Sequence, residues 1–341
     1  MNRKNGKHAE RGQYKAGRAR AAAAVAALSL AASIAAPQFA QAQAYPNKPV
    51  KVIVPFPAGG SADVLARIVG EKVSAKWGQP VVVENRAGAG GNIGAEAVYR
   101  AEPDGYTILS SPPGPLSINL NLYKSLAYDP LKFVPITVLA IVPNVITAKI
   151  DLPANSVREL IAHAKANPGK VVYASQGNGS TSHLSAQMFA TMAGVDLVHI
   201  PYKGEGPALT DIVGGRVDMF IGNIAAALRF QQAGKVKFLG VASTRRSPVA
   251  PDIPTVTEAG LPGFVTSAWF AMVAPPGTPN AIVQQINGAV VEALKLPDVQ
   301  KRYLDQGAEP VGNSSAEMAA FVKDEMARWQ KVITSANVTL N

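Results

Sequence analysis

The chain has 341 residues, of which 48% are hydrophobic and 16% charged, and it contains no cysteine. This length exceeds what one core usually fills, so two domains are expected, and the composition excludes fibrous and disordered proteins. The net charge is +10, but residues 1–44 carry seven basic residues against one acid, which leaves +4 for the rest. No basic run interleaved with aromatic residues follows residue 44, so nucleic acid is not expected as a partner.

Residues 1–44 have the three parts of a secretory signal peptide. A basic segment precedes an uncharged Ala/Leu/Val/Ile stretch, Ala21 to about Ala36, and small-x-small sites end at Ala42 and Ala44. We expect cleavage after one of these alanines, with an uncleaved membrane anchor as the alternative. Without cysteine, the exported protein has neither a disulfide framework nor a lipid-anchored cysteine.

The first part of the exported chain alternates strand and helix patterns. In order these are "VKVIVPF", "ADVLARIVGEKVSAKW", "PVVVENR", "GAEAVYRA" and "YTILSS". This order favours a mostly parallel sheet covered by helices. The next run, "FVPITVLAIVPNVITAKI", is longer than a usual strand, and we interpret it as a crossing from one sheet to another.

A second α/β set repeats this organisation. It begins with "SVRELIAHAKA", continues through "KVVYAS", a helix from about Ser182, "LVHIPY", "PALTDIVGG" and "VDMFIG", and ends with "VKFLGVAS". The apolar run "SAWFAMVAP" is interpreted as the crossing back, and the C-terminal helices are expected to pack on the first lobe. Capping boxes, Ser156-x-x-Glu159 and Ser314-x-x-Glu317, predict two of the helix starts.

The sequence therefore predicts two Rossmann-like α/β lobes joined by two extended crossover strands. We assign residues 45–143 to the first part of lobe one, 144–267 to lobe two and 268–341 to the C-terminal part of lobe one. Such a hinged pair of lobes suits closure around a small molecule at the carboxyl ends of the strands.

Each lobe contains a strand, a glycine loop and a helix start in succession. In lobe one Gly59 and Gly60 precede Ser61, and in lobe two Gly177 and Gly179 precede Ser180. Each helix start offers free N–H groups and the positive end of the helix dipole. If both face one cleft, a molecule bearing carboxylates is held from both sides; ordinary βα-loop chemistry is the alternative.

Asp63 falls in the first turn of the lobe-one helix. Its carboxylate offsets the helix dipole, and a role in the site would place it beside a ligand amine or hydroxyl, or bracing the loop. A third glycine loop, "RAGAGGNIGAEA", departs from the dinucleotide spacing and is interpreted as a turn and helix start on the cleft rim.

Enzyme chemistry is not indicated by the sequence. Ser180, Ser182 and His183 are neighbours on a helix start and point in different directions, unlike a catalytic triad. No metal-ligand spacing occurs around the histidines of the exported chain, so neither a metal nor another cofactor is expected. A Ser/His hydrolase remains the weaker alternative.

Several long segments resemble the Bug-type solute-binding receptors of tripartite tricarboxylate transporters. They are "YPNKPVKVIVPFPAGGSADVLAR", "GQPVVVENRAGAGGNIGAEAV", "PDGYTILSS", "YASQGNGSTSHLSAQMF", "HIPYKGEGPALTDIVGGRVDMF" and "PDIPTVTEAGLPGF". The resemblance implies a periplasmic, two-lobed receptor of the type II binding-protein fold, without a cofactor and expected as a monomer. It further implies a small carboxylate ligand and membrane permease subunits as partners. A sensor that presents its ligand to a membrane histidine kinase is the alternative.

The resemblance also implies which residues hold the ligand. From lobe one these are Phe56, Ala58, Gly59, Gly60, Ser61, Asp63 and Ser110, and from lobe two Gly179, Ser180, Thr181, His183, Tyr202, Lys203, Gly204 and Asn223. The run "IGNIAAAL" departs from the Asp-Asn followed by Pro and Ser that is usual there in the family. An aromatic monocarboxylate is therefore as plausible a ligand as a di- or tricarboxylate or an acidic amino acid.

Overall fold

The computed structural model describes residues 45–335. The expected signal peptide, residues 1–44, lies outside this range. No helix between residues 45 and 335 has both the length and the apolar character needed to cross a membrane.

The strands and helices of the described region follow the predicted alternation. The strands are β1 (Val50–Val54), β2 (Val81–Asn85), β3 (Thr107–Ser111), β4 (Val134–Lys149), β5 (Val171–Ser175), β6 (Leu197–Pro201), β7 (Met219–Asn223), β8 (Val236–Val241), β9 (Ser267–Ala274) and β10 (Glu309–Pro310). The longer helices are α1 (Ser61–Trp77), α2 (Asn92–Tyr99), α3 (Val157–Ala166), α4 (Thr181–Ala193), α5 (Glu205–Val213), α6 (Ile224–Gln232), α7 (Asn280–Lys295), α8 (Pro297–Asp305) and α9 (Ser315–Ser335).

The first sheet has the order β2-β1-β3-β9-β4. Strands β1, β2 and β3 are parallel, whereas β9 runs antiparallel to β3 and β4. Val52 and Val54 of β1 pack in the same core as α1, and Ile53 packs on the opposite face with residues of α2. Because helices cover both faces, β1 is an almost continuous run of buried branched residues.

The second sheet is built from β5, β6, β7 and β8 with the end of β4. Strands β5, β6 and β7 are parallel, and β4 lies antiparallel between β7 and β8. The carboxyl ends of β5 and β7 therefore meet at one edge, where the second predicted glycine loop and Asn223 lie.

Strand β4 is the long crossing that the sequence predicts. It has 16 residues, of which 134–143 pair with β9 and 144–149 pair with β7 and β8. The chain returns to the first sheet immediately before β9, which lies wholly in that sheet. The assignment of residue ranges to two lobes that move relative to each other stays a prediction.

Three residues, here called the hinge residues, join the two crossings: Asn144, Ala242 and Thr266. The backbone N–H of Asn144 donates to Thr266, that of Thr266 to Ala242, and that of Ala242 to Asn144. The buried amide of Asn144 also donates to the hydroxyls of Ser185 and Thr266. These bonds hold the two connections side by side.

Local capping explains two of the helix starts. At α3 the Ser156 hydroxyl accepts a hydrogen bond from the N–H of Glu159, whose carboxylate accepts from the N–H of Asn155. At α9 Ser314 and Glu317 form the reciprocal pair of a capping box. Both predicted helix starts are thus confirmed.

Helix α9 packs on the first sheet and also reaches the second lobe. The buried carboxylate of Glu325 accepts hydrogen bonds from the indole N–H groups of Trp269 and Trp329. Trp329 packs in one cluster with Leu184 of α4. The C-terminal helix therefore contacts Trp269 of β9 in the first sheet and Leu184 of α4 beside the second.

Candidate ligand-binding cleft

The loop between β1 and α1, here called the first glycine loop, comprises residues 55–60. Asp63, which is 4% exposed, accepts hydrogen bonds from the N–H of Gly59, from Arg67 and from the side-chain amide of Asn85. Burial alone would raise the pKa of Asp63, but the bonds from Arg67, Gly59 and Asn85 outweigh it and lower the pKa below its ordinary value. Asp63 is therefore an ionised brace of this loop.

The loop between β5 and α4, here called the second glycine loop, comprises residues 176–180. The Ser180 hydroxyl caps α4 by accepting from the N–H of His183, and it donates to the carbonyl of Gly177 at 2.6 Å. The Ser182 hydroxyl accepts from the N–H of Gln176 at 2.9 Å. Within residues 45–335, the N–H groups of Thr181 and Ser182 have no acceptor. This buried helix start therefore offers two backbone donors.

Two stacked histidines, His183 and His199, support the second glycine loop. The ring of His199 lies 4.2 Å from that of His183 and 4.7 Å from that of Tyr173, centroid to centroid. Burial lowers the pKa of His183 to about 3, with His199 adding to the effect, and lowers the pKa of His199 to about 4. Both rings are thus neutral at neutral pH. His183 accepts through Nδ1 from the N–H of Gly179, so its own proton is on Nε2.

The hydroxyls of this loop are engaged with one another and with the backbone. Ser180 and Ser182 are 2.9 Å apart, Oγ to Oγ, while the Nε2 of His199 lies 2.7 Å from the hydroxyl of Ser175. Ser175 is fully buried and also accepts from the N–H of Gly177. These contacts shape the loop.

Glu205, the first residue of α5, connects the two lobes and was missed by the sequence reasoning. Its carboxylate accepts from the N–H of Ser61 at 3.0 Å, from the Ser61 hydroxyl at 3.1 Å and from the side-chain amide of Asn223. Burial raises the pKa of Glu205, and the bonds from Ser61 and Asn223 oppose that rise. The only sequence signal was an acid in a helix first turn, which does not predict a partner 144 positions away.

A small cavity lies where Glu205 meets the first glycine loop. It has a volume of 40 Å³, enough for one or two water molecules. Its walls come from both lobes: Phe56, Pro57, Ala58, Gly60, Ser61, Ala62, Pro112, Gln176, Gly204, Glu205, Gly206, Pro207 and Phe270. The described structure is therefore closed at this point of the cleft.

The structure gathers most of the predicted site residues around this closed cleft. Phe56, Ala58, Gly60, Ser61 and Gly204 line the cavity, and Asn223 reaches it through Glu205. Gly179, Ser180, Thr181 and His183 form the buried start of α4. Gly59 lies in the same loop but lines a separate cavity beside α6.

Three predicted site residues have other surroundings. The Tyr202 hydroxyl donates to Asp211 of α5, and Lys203 is exposed. Ser110 is fully buried on β3, and no acceptor or donor within residues 45–335 reaches its hydroxyl. A role for these residues in ligand binding stays a prediction.

The third glycine loop is a turn followed by the start of α2, as interpreted from the sequence, and its place on the cleft rim stays a prediction. A Cβ atom added at Gly90 would come within 3.2 Å of the Asn178 carbonyl of the second glycine loop, so the two lobes approach closely here. The loop is held by Asn119, whose amide donates to Gly90 and Asn92. Sequence reasoning had not selected Asn119.

Comparison with known protein families identifies the family of this chain. The sequence model described as "Tripartite tricarboxylate transporter family receptor" matches residues 65–338. The chain belongs to this family. The receptor is also 41% identical to Protein BugT of Bordetella pertussis over 311 residues, which cover 91% of this chain and 95% of BugT. The Bug-type resemblance seen in the sequence is thus confirmed.

Solved structures agree with the receptor over nearly all of its described length. R. palustris Rpa4515 with adipate superposes with a TM-score of 0.85 at 39% identity, covering 86% of this chain and 99% of that one. MatC from Rhodopseudomonas palustris with bound malate gives 0.81 at 36% identity, covering 85% and 100%. The predicted two-lobed α/β fold is confirmed.

Proposed function

We propose that this receptor captures a small organic acid between its lobes in the periplasm and delivers it to the membrane permease subunits of a tripartite tricarboxylate transporter. The observation that carries the proposal is the start of α4. There, two buried N–H groups, those of Thr181 and Ser182, have no acceptor among residues 45–335, and Gln176, whose N–H donates to the Ser182 hydroxyl, lines the cavity between the lobes.

Further support comes from the relatives and from the crossings. Adipate and malate, the molecules named with two solved relatives, are both small carboxylates. The hinge residues provide the place where closure around such a molecule can occur. The basic and apolar leader supports export, and we propose that the exported protein acts as a monomer.

Ligand-dependent stabilisation tests this proposal. The protein from Tyr45 onward is screened by thermal shift against amino acids, di- and tricarboxylates and aromatic carboxylates. A ligand at a hundred times its Kd adds about 2.7 kcal/mol of stability, which raises the melting temperature. If no acid shifts the melting temperature, and mass spectrometry of the denatured protein finds no acid carried through purification, the proposal is wrong.

Gly179→Val locates the site. Gly179 has φ +77°, where a β-branched residue costs about 1–3 kcal/mol of strain and displaces the amides that follow. We expect the variant to fold but to lose binding of whichever acid the screen identifies. Gly263→Val is the matched control, because Gly263 has φ +79° in an exposed loop with open space around its Cβ position. Unchanged affinity in Gly179→Val would place the site elsewhere.

A further inference from the structure

Glu205 is a buried carboxylate without a cationic partner among residues 45–335. Its side chain belongs to lobe two, is 5% exposed, and bonds to neutral donors of Ser61 and Asn223. Among the described residues no Lys, Arg or His contributes to its environment. Burial raises the pKa of Glu205, whereas three donors and two helix starts, that of α1 opposite and that of α5, which Glu205 itself begins, favour the ionised form.

This carboxylate occupies the place at α1 that a ligand anion would take. The N–H and the hydroxyl of Ser61, the first residue of α1, both donate to the same Glu205 oxygen. The positive end of α1 is therefore already compensated by the protein's own charge. A second carboxylate brought to this point would meet Glu205 directly, and like charges repel strongly where water is excluded.

The two ends of the cleft carry unpaired hydrogen-bonding groups of opposite kind, an acceptor near Glu205 and donors at α4. Near Glu205, the Oδ1 atom of Asn223 is a buried acceptor without a donor in the described protein. At α4, the N–H groups of Thr181 and Ser182 are donors without an acceptor. Gln176 links the two ends, since it lines the cavity with Glu205 and its N–H is held by Ser182.

We propose that Glu205 is a specificity-determining residue that selects a ligand with one carboxylate and, at its other end, an ammonium group. The ligand carboxylate meets the amides at the start of α4, and the ammonium group donates to Glu205 and to the Oδ1 of Asn223. This inference rests on the proposed function and names its substrate class: amino acids and other zwitterionic monocarboxylates rather than dicarboxylates.

Matched ligand pairs test the selection directly. Adipate and ε-aminocaproate have the same length and differ only at one end, and succinate and γ-aminobutyrate form a shorter pair. Calorimetric titration of the purified protein is expected to show tighter binding of the amino member of at least one pair. In Glu205→Gln, which keeps the size of the side chain, removes its charge and replaces one acceptor oxygen by a donor, dicarboxylate affinity should rise by on the order of a hundredfold and the preference should reverse.

Two further variants control for charge and for folding. Glu71→Gln removes the same charge from an exposed position on α1, and it should keep the wild-type preference. Glu205→Asp keeps the charge, so it should also keep the preference, even if Glu205→Gln fails to fold. Loss of the preference in Glu205→Asp, with the fold intact by circular dichroism, counts against the selection.

The outcomes separate this inference from the function on which it rests. If the dicarboxylates bind the wild type as tightly as their amino partners and Glu205→Gln changes neither, the inference is overturned while the carboxylate receptor stands. If neither these pairs nor the acids of the thermal-shift screen bind any folded variant, and mass spectrometry finds no acid carried through purification, the proposed function is wrong and the inference is wrong with it.

Discussion

The two helix starts at the cleft, α1 and α4, share one local plan but differ in charge. At α1 two carboxylates engage the first turn and its loop, since Asp63 accepts from Gly59 and Glu205 accepts from Ser61. At α4 the cap is the neutral hydroxyl of Ser180, and the first-turn amides keep their donors free. The same strand, glycine loop and helix thus produce one helix start occupied by the protein's own carboxylates and one whose first amides have no acceptor among residues 45–335.

This difference has a structural cause in what supports each loop. The first glycine loop is held by the carboxylates of Asp63 and Glu205, whereas the second rests on two uncharged imidazole rings, His183 stacked on His199 and His199 stacked on Tyr173. A change of pH should therefore act on the two loops in different ranges. Truncation of a side chain should lower the unfolding free energy most where a buried charged group loses its partners.

Acidification is expected to produce the largest effect, through the second glycine loop. Burial holds the pKa of His183 at about 3 and that of His199 at about 4, below the value of about 6.5 in an unfolded chain. The unfolded chain therefore binds these protons first. The contribution of these two histidines to the unfolding free energy is therefore complete above about pH 6.5. It falls as the pH drops toward their pKa values in the folded protein, by several kcal/mol in total. Urea unfolding measured between about pH 7 and pH 4 checks this.

Histidine variants assign that loss to the stacked pair. His199→Gln removes one titrating ring while keeping a polar group for Ser175, and it should reduce the slope of unfolding free energy against pH. His163→Gln, on α3 and outside the cleft, should leave the slope as in the wild type. Equal slopes in all three proteins would show that other groups govern the acid response.

Asp63→Ala is expected to have the next largest effect, in the first glycine loop. The substitution leaves the N–H of Gly59 and the amide of Asn85 without this acceptor, and it leaves Arg67 with only its bond to the Asn85 side-chain oxygen. We expect a loss of about 3 kcal/mol in unfolding free energy by urea titration. Asp298→Ala is the matched control, because Asp298 is an exposed first-turn acid of α8 whose loss should lower the unfolding free energy much less. Similar losses in both variants would show that Asp63 acts only on the helix dipole.

The sequence predicted those parts of the cleft that depend on neighbouring residues. The strand and helix order, the two glycine loops and the capping boxes follow from periodicity and from bonds over three or four positions, such as Asp63 to Gly59. The bond from Glu205 to Ser61 depends instead on how one lobe closes against the other. Local patterns carry no signal for such a contact, so the electrostatic difference between the two loops emerged only from the structure.

Paired N-cap substitutions offer the smallest and most specific test of the second glycine loop. Ser156 and Ser180 cap α3 and α4 in the same way, each accepting a bond from the N–H three positions on. Loss of a cap costs about 1 kcal/mol, and Ser180→Ala also leaves the Gly177 carbonyl without its hydroxyl donor.

We therefore expect Ser180→Ala to lose about 1 kcal/mol more unfolding free energy than Ser156→Ala, because the partly buried Gly177 carbonyl loses one of its two donors as well. Urea unfolding of the two variants measures the difference. Ser180→Ala should also weaken binding of the identified ligand, since the Ser180 cap positions the first turn whose amides of Thr181 and Ser182 we assign to the ligand carboxylate. Equal losses of stability with unchanged affinity would mean that Ser180 is an ordinary helix cap, and that the free amides at α4 do not meet the ligand.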